Sequence, residues 1–294
     1  MNSRTPGPGL RHPVSLRGED PLRLTLGLSA TLLAFLVAVQ LVAQAVLGAG
    51  WLLRGQPDFS QYRSQALAYK LPDGLVATHL GIGSLLLVVL LIYRYWHGRQ
   101  HQWVISVQPG GRWRYLLICF VVAAVVFNAS LWLARGGDMA WSEPQPGWPV
   151  YLLLVLITSP LQAAAEEFFF RGYLQQTIGS LTGRSWVGIV SSALVFAVLH
   201  GGQNAALFVH RLGFGLIAGV LVWATGGLEA AIAAHVVNNV FAFTYSLFTG
   251  GIVALKAMTA ISWGVALVDL VGFAVFGSIA WWLGRRLRVA ILTP

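Results

Sequence analysis

The sequence predicts an all-α, polytopic membrane protein with about eight transmembrane helices and both termini in the cytoplasm. Three observations carry this expectation. Hydrophobic residues make up 56% of the 294 and charged residues only 10%, whereas a soluble domain carries about 25% charged residues. Apolar runs of about 20 residues, the length that crosses a hydrocarbon core, recur along the chain. The basic residues behind the net charge of +9 lie at the ends of those runs, where cations meet lipid headgroups. They form no single basic stripe, so the composition argues for the lipid bilayer as partner and against nucleic acid.

Taken in order, residues 1–22 are rich in Pro, Gly and Arg and read as a disordered cytoplasmic tail. The run from Leu24 to Gly48 exceeds the core of a signal peptide, about 7–15 residues, and reads as a retained first span. Further spans are expected at 74–94, 115–134, 149–178, 185–201, 205–225, 227–249 and 261–283. The fifth is short, and with the sixth it could form one unit bent around Gly201-Gly202. Pro160 should kink the fourth. With the N-terminus inside, the cytoplasmic side collects twelve arginines: Arg4, Arg11, Arg17, Arg23, Arg94, Arg99, Arg112, Arg114, Arg184, Arg285, Arg286 and Arg288. The opposite side collects six basic residues: Arg54, Arg63, Lys70, Arg135, Lys256 and Arg211. That bias sets the orientation. Tryptophans such as Trp51, Trp96, Trp148 and Trp263 fall near span ends, where amphipathic rings settle at the interface. One cysteine, Cys119, excludes an intrachain disulfide and a multi-cysteine metal site. There is no internal repeat to suggest an inverted-repeat transporter.

Three polar clusters interrupt the apolar helices. Glu166 and Glu167 stand in the fourth span, though the chain has only ten acidic residues and an ionisable group at bilayer depth costs roughly 2.5–3.5 kcal/mol. Glu167 and Arg171 are four apart and share a helix face, the spacing of an ion pair. Glu166 lies about 140° round the helix from Arg171. Arg171 should therefore hold Glu167 and leave Glu166 aimed elsewhere, separating two carboxylates into two roles. The second cluster is Phe196-x-x-x-His200, followed by Gly201-Gly202-Gln203-Asn204. The third is His235-Val-Val-Asn238-Asn239, where His235 and Asn239 face one way and must avoid lipid. Measured from the cytoplasmic helix ends, Glu166 lies about 20 Å deep, His200 about 22 Å and His235 roughly 12 Å. If the glutamate helix protrudes, the three converge. A carboxylate with a histidine can activate water, and a second histidine with an amide can stabilise an oxyanion. The set Glu166, His200 and His235 could instead bind Zn²⁺ and keep a position open for water, although the stronger His-Glu-x-x-His signal is absent. Taken alone, each cluster also reads as a structural clasp between helices.

At these residues the chain resembles the CPBP intramembrane protease family, named for CAAX-prenyl proteases and bacteriocin-processing enzymes. Its pattern appears here as Glu166-Glu167-Phe-Phe-Phe-Arg171, Phe196-Ala-Val-Leu-His200 and His235-Val-Val-Asn-Asn239. The stretches Gly213–Gly219 and Thr225–Leu228 look like the family too. The resemblance covers roughly residues 150–245. It implies a catalytic helical core at 146–250, preceded by helices 1–3 at 23–145 and followed by a last helix and basic tail at 251–294. It implies a site open to the cytoplasm, with Glu166 and His200 activating water, His235 and Asn239 holding the oxyanion, and Glu167 with Arg171 in support. Some members are described as metalloproteases; the favoured expectation is a metal-independent glutamate protease without cofactor, with Zn²⁺ the alternative.

The expected activity is hydrolysis of a peptide bond in a membrane-associated protein or peptide. The arginine- and alanine-rich composition places the chain in a bacterial inner membrane, where prenylated substrates are not expected. The alternative is a non-catalytic protein of the same fold acting in partner binding or bacteriocin immunity. Proton-coupled transport accounts for buried carboxylates but not for two histidine motifs. Glu229 reads as a helix-dipole residue and Asp269 as an interhelical contact. His210 with Arg211 is read structurally, and His79, His97 and His101 as residues near span ends with no function.

Overall fold

The computed structural model describes residues 5–108, 110–135 and 140–294, with no side-chain account of residues 134 and 135. Arg4, one of the cytoplasmic arginines of the sequence reading, lies outside the described residues. Among them there is no strand, and the chain runs as helices joined by short turns. The helices are α1 (Pro21–Arg54), α2 (Phe59–Leu67), α3 (Pro72–Leu91), α4 (Gln102–Ile105), α5 (Trp113–Arg135), α6 (Trp148–Glu167), α7 (Gln175–Thr182), α8 (Ser185–Leu199), α9 (Ala205–Thr225), α10 (Glu229–Thr249), α11 (Ile252–Lys256) and α12 (Trp263–Arg286). A π-helical stretch, Phe168–Leu174, carries α6 into α7 without a break, and Ile92–Trp96 ends α3 in the same way.

Seven of these helical stretches are long and apolar enough to cross a membrane: 21–54, 72–96, 113–133, 148–182, 205–225, 229–249 and 263–286. The remaining expected span corresponds to α8, a shorter apolar helix. Its 15 residues reach about 22 Å, short of a hydrocarbon core of about 30 Å. The chain turns back at Gly201, whose φ is +79°, and α9 starts afresh with Asn204 capping through its side chain onto Leu207 N. The fifth and sixth apolar runs are thus two helices.

Local sequence explains the boundaries. α1 opens on Pro21 behind an Asp20 cap and ends at Gly55, whose φ is +60°. α3 and α6 also begin with proline in the first turn. Pro160 lies inside α6, where it removes one backbone donor. In the bundle α6 packs between α3 and α10, and α10 also meets α5 and α9. Outward faces remain apolar, as Leu33, Leu41, Val121 and Leu153 illustrate, which suits lipid as solvent.

The N-terminal segment departs from the disordered tail expected of it. His12 and Leu16 are fully buried, and a Cβ at Gly179 would collide with the carbonyl of Pro13, so this glycine lets the strap lie against α7. Glu19 accepts from Arg99 Nε at 2.6 Å and bonds His97 Nδ1 at 2.7 Å, while His97 Nε2 meets the Tyr173 hydroxyl at 3.0 Å. His97, expected near a span end without a role, is fully buried in that network. Proline and arginine content suggested disorder because composition ignores such long-range partners. Two of the cytoplasmic-side arginines are likewise internal: Arg99 pairs with Glu19, and Arg112 forks onto Glu229. Glu229 therefore opens α10 as half of an ion pair as well as a dipole partner.

Alternation of the helices puts both termini on one face, with residues 97–112, 183–184 and 226–228. Gly9 N donates to Thr293 O at 3.0 Å, joining the two ends of the chain directly. The opposite face carries residues 55–71, 140–147, 200–204 and 250–262, tied by Asn204 N to Thr259 O at 2.8 Å.

Candidate active site

α6 carries Gln162, Glu166 and Glu167 into the middle of the bundle, and the π-helical stretch after them carries Arg171. Single π-helical turns inside long helices mark places where side chains are re-aimed, often at functional sites. The Glu167–Arg171 pair forms as the spacing predicts, with Arg171 Nη1 donating to Glu167 Oε1 at 2.9 Å and both side chains fully buried. The same oxygen lies 2.7 Å from His235 Nδ1 on α10. Glu167 thus holds a histidine as well as an arginine, a role that spacing within one helix does not reveal.

His235 in turn places Nε2 3.4 Å from Glu166 Oε2. Glu166 is 7% exposed, and its Oε2 has no hydrogen-bond partner. Its other oxygen, Oε1, accepts from Gln162 Nε2 at 2.8 Å, and Gln162 Oε1 accepts from Asn239 Nδ2 at 3.0 Å. Gln162 therefore couples the two helices of the site and is the residue that sequence reasoning missed. The available signal was its position, four residues before Glu166 on the same helix face, in a run otherwise apolar.

Aromatic rings enclose the charges. Arg171 Cζ lies 4.6 Å from the Phe196 ring centroid and 5.5 Å from that of Phe214. Phe196 also packs edge-on against His200 at 4.6 Å and His235 at 5.9 Å. The Phe of the Phe-x-x-x-His motif thus serves as a cation–π surface and as a spacer for both imidazoles. Ser192 Oγ donates to the Phe170 carbonyl at 2.7 Å, fastening α8 to the π-helical backbone.

His200 caps the end of α8, where its Nδ1 meets the Phe196 carbonyl at 2.7 Å. A carbonyl only accepts, so Nδ1 carries the proton and a neutral ring keeps its lone pair on Nε2. Glu166, Glu167, Arg171 and His235 are in direct contact, and Asn239 joins through Gln162. His200 stands apart from these bonds but lines the same cavity, about 470 Å³ in volume, with Gln162, Glu166, His235 and Asn239. His79 lines it too, 2% exposed and bonded to Thr158 Oγ1 at 2.7 Å, so it is a buried cavity residue. An adjoining cavity of about 590 Å³ contains Asn128, Tyr245 and Asp269 but not Glu166, His200 or His235. Asp269 Oδ2 lies 3.3 Å from His210 Nε2, so it makes an interhelical contact and also lines that cavity.

Among the described residues no group of three His, Cys, Asp or Glu side chains is arranged to hold a metal ion. Glu166, His200 and His235 are not gathered into such a set, although both histidines are held through Nδ1, to Glu167 and to the Phe196 carbonyl, which is the orientation that leaves Nε2 for a ligand.

Tyr69, Gly202, Lys256 and Thr259 also line the Glu166 cavity. They belong to the face opposite the termini.

Residues 147–241 match the family model described as Type II CAAX prenyl endopeptidase Rce1-like. That segment contains all six motif residues, in a chain with seven helical stretches long and apolar enough to cross a membrane among the described residues. The uncharacterized protein YyaK of Bacillus subtilis (strain 168) is 31% identical over 147 residues, covering 46% of this chain and 49% of YyaK. The chain thus spans about half the length of this curated relative. No solved structure matches.

Proposed function

We propose that this membrane protein, whose residues 147–241 are Rce1-like, is an intramembrane peptidase that hydrolyses a peptide bond of a membrane-associated protein or peptide. One observation carries the reading. Glu166 keeps one buried carboxylate oxygen unbonded, 3.4 Å from His235 Nε2, inside a cavity that also holds His200. Glu167 Oε2 is also without a partner, a state that costs a buried acceptor about 1–3 kcal/mol, but Glu167 does not line the cavity, so of the two carboxylates only Glu166 meets a space that can hold a water.

In this mechanism Glu166 Oε2, with His200 beside it, takes a proton from a water whose oxygen attacks the scissile carbonyl. The C–O bond forms and the carbonyl electrons move to its oxygen. His235 Nε2–H and the free N–H of Asn239 then donate to that oxyanion. Glu167 accepts at Nδ1 and is itself held by Arg171, so donation through Nε2 uses the doubly protonated ring. When the C–N bond breaks, the proton held by Glu166 passes to the leaving amine. Gln162 orients Glu166 and Asn239 together. No step is routed through a metal.

The test is cleavage of fluorogenic membrane peptides by the purified chain and its Glu166→Ala, His200→Ala and His235→Ala variants. Losses of about 100-fold or more are expected, the scale of a general base or an oxyanion donor. Undiminished cleavage in all three would sink the assignment. Activity that survives 1,10-phenanthroline and EDTA supports the glutamate mechanism, and loss restored by Zn²⁺ would replace it with the metal one.

A further inference from the structure

The Glu166 cavity contains two cations that the hydrolytic scheme leaves unused. Arg211, in the second turn of α9, and Lys256, the last residue of α11, both line it. Arg211 donates through Nη1 to Gln203 Oε1 at 2.7 Å. The Lys256 ammonium lies 4.9 Å from the Tyr69 ring centroid. Neither has a carboxylate partner among the described residues, although Arg99, Arg112 and Arg171 are each paired with a glutamate. Neither is enclosed: Arg211 is half-buried and Lys256 exposed, so both charges are open to a group that enters the cavity.

We propose that Arg211 and Lys256 form an anion subsite that takes a carboxylate of the peptide substrate, from its C-terminus or from an acidic side chain. The inference rests on the peptidase reading for the word substrate. The remaining guanidinium N–H donors suit the planar, two-oxygen geometry of a carboxylate, and the ammonium adds a mobile point charge. Glu166 repels a second carboxylate. An acidic group is therefore accepted in this cavity only where the cations hold it, away from Glu166. That separation fixes the register between the anion and the bond that Glu166 attacks.

Binding is measured with the non-cleaving Glu166→Gln chain in neutral detergent micelles. The probe is a fluorescein-labelled decapeptide of Ala, Val and Leu in three forms: free acid, C-terminal amide, and amide with one internal Glu. At least one carboxylate form is expected to bind about tenfold more tightly than the plain amide, and the two forms distinguish a terminal from a side-chain source. Adding Arg211→Gln or Lys256→Gln should remove most of this preference while leaving the affinity for the amide unchanged. Arg211→Lys, eluting as a single species, should retain part of it and so controls for misfolding. Equal affinity for all three peptides, or a preference that survives both Gln variants, overturns the subsite. Cleavage is assayed separately with the active chain. Carboxylate-selective binding without any cleavage would count against the peptidase reading and leave the subsite standing.

Discussion

Replacing Gln162 by methionine tests whether the amide bridge matters to catalysis. The side chain is 6% exposed and makes two bonds, 2.8 Å to Glu166 Oε1 and 3.0 Å from Asn239 Nδ2. Methionine keeps the volume and removes both bonds, so cavity formation contributes little. A hydrogen bond to a charged group is worth about 1.5–3 kcal/mol, which corresponds to roughly a 10- to 150-fold loss of rate if it acts on the reacting carboxylate. The assay is steady-state cleavage of a fluorogenic membrane peptide in micelles, with kcat and KM separated. The expected result is a fall in kcat within that range and a KM within about threefold of the parent, because Gln162 positions two protein groups. Gln162→Glu should fall further, since it places a second carboxylate next to Glu166. A kcat within threefold of the parent in both variants would refute Gln162 as a positioning residue. A loss confined to KM would assign it to substrate binding.

Three other outcomes follow from the same contacts. Arg171→Ala leaves Glu167 buried without its arginine and should cost about 3–5 kcal/mol, read as loss of the monodisperse species in detergent; Arg171→Lys should fold but lose activity, because an ammonium cannot both reach Glu167 and cover the Phe196 ring as the guanidinium does. Burial lowers the His12 pKa from 6.5 to about 4 against the backbone bond to Val104. Above pH 6.5 both folded and unfolded chains hold this ring neutral; between 6.5 and 4 only the unfolded chain takes the proton, so acid removes on the order of 3 kcal/mol. Apparent Tm should fall across that window, and His12→Gln should flatten the fall. Glu19 adds to the loss at lower pH: burial acts to raise its pKa, but the bond and charge of His97 and the charge of Arg99 hold it below the ordinary value. Finally, cytoplasmic termini, as the arginine bias predicts, would put Thr259 on the outer face. A cysteine at Thr259, in a chain whose Cys119 is buried, should react with an impermeant maleimide in intact cells, while a C-terminal fluorescent fusion stays cytoplasmic. Protection of that cysteine reverses the orientation.

Much of the fold was legible because bilayer-length apolar runs and their arginine borders are local properties. α8 differs from the other seven in length: its 15 apolar residues before Gly201-Gly202 reach about 22 Å. The N-terminal strap was not legible in this way. His12, Glu19 and His97 are polar residues whose burial depends on partners more than 70 positions away, and no window of sequence contains both. Within the site, four-residue spacing found Glu167 with Arg171 because both lie on one helical run. It missed Glu167 with His235 and Gln162 with Asn239, which are set by the packing of α6 on α10.

Those interhelical bonds change the physical role of the paired glutamates. A purely local reading divides them into a structural carboxylate tied to arginine and a free one facing the histidines. In the folded bundle the histidine stands between them: Nδ1 goes to Glu167 and Nε2 toward Glu166. The buried charge of Arg171 then has a second effect. By holding Glu167 in place it fixes which nitrogen of His235 faces a committed acceptor and which faces the open carboxylate oxygen. Neighbouring positions on a helix point about 100° apart, so two adjacent acids can grip one imidazole only if its ring enters between them from another helix. Adjacency of Glu166 and Glu167 thus presents one held oxygen and one open oxygen to the same histidine.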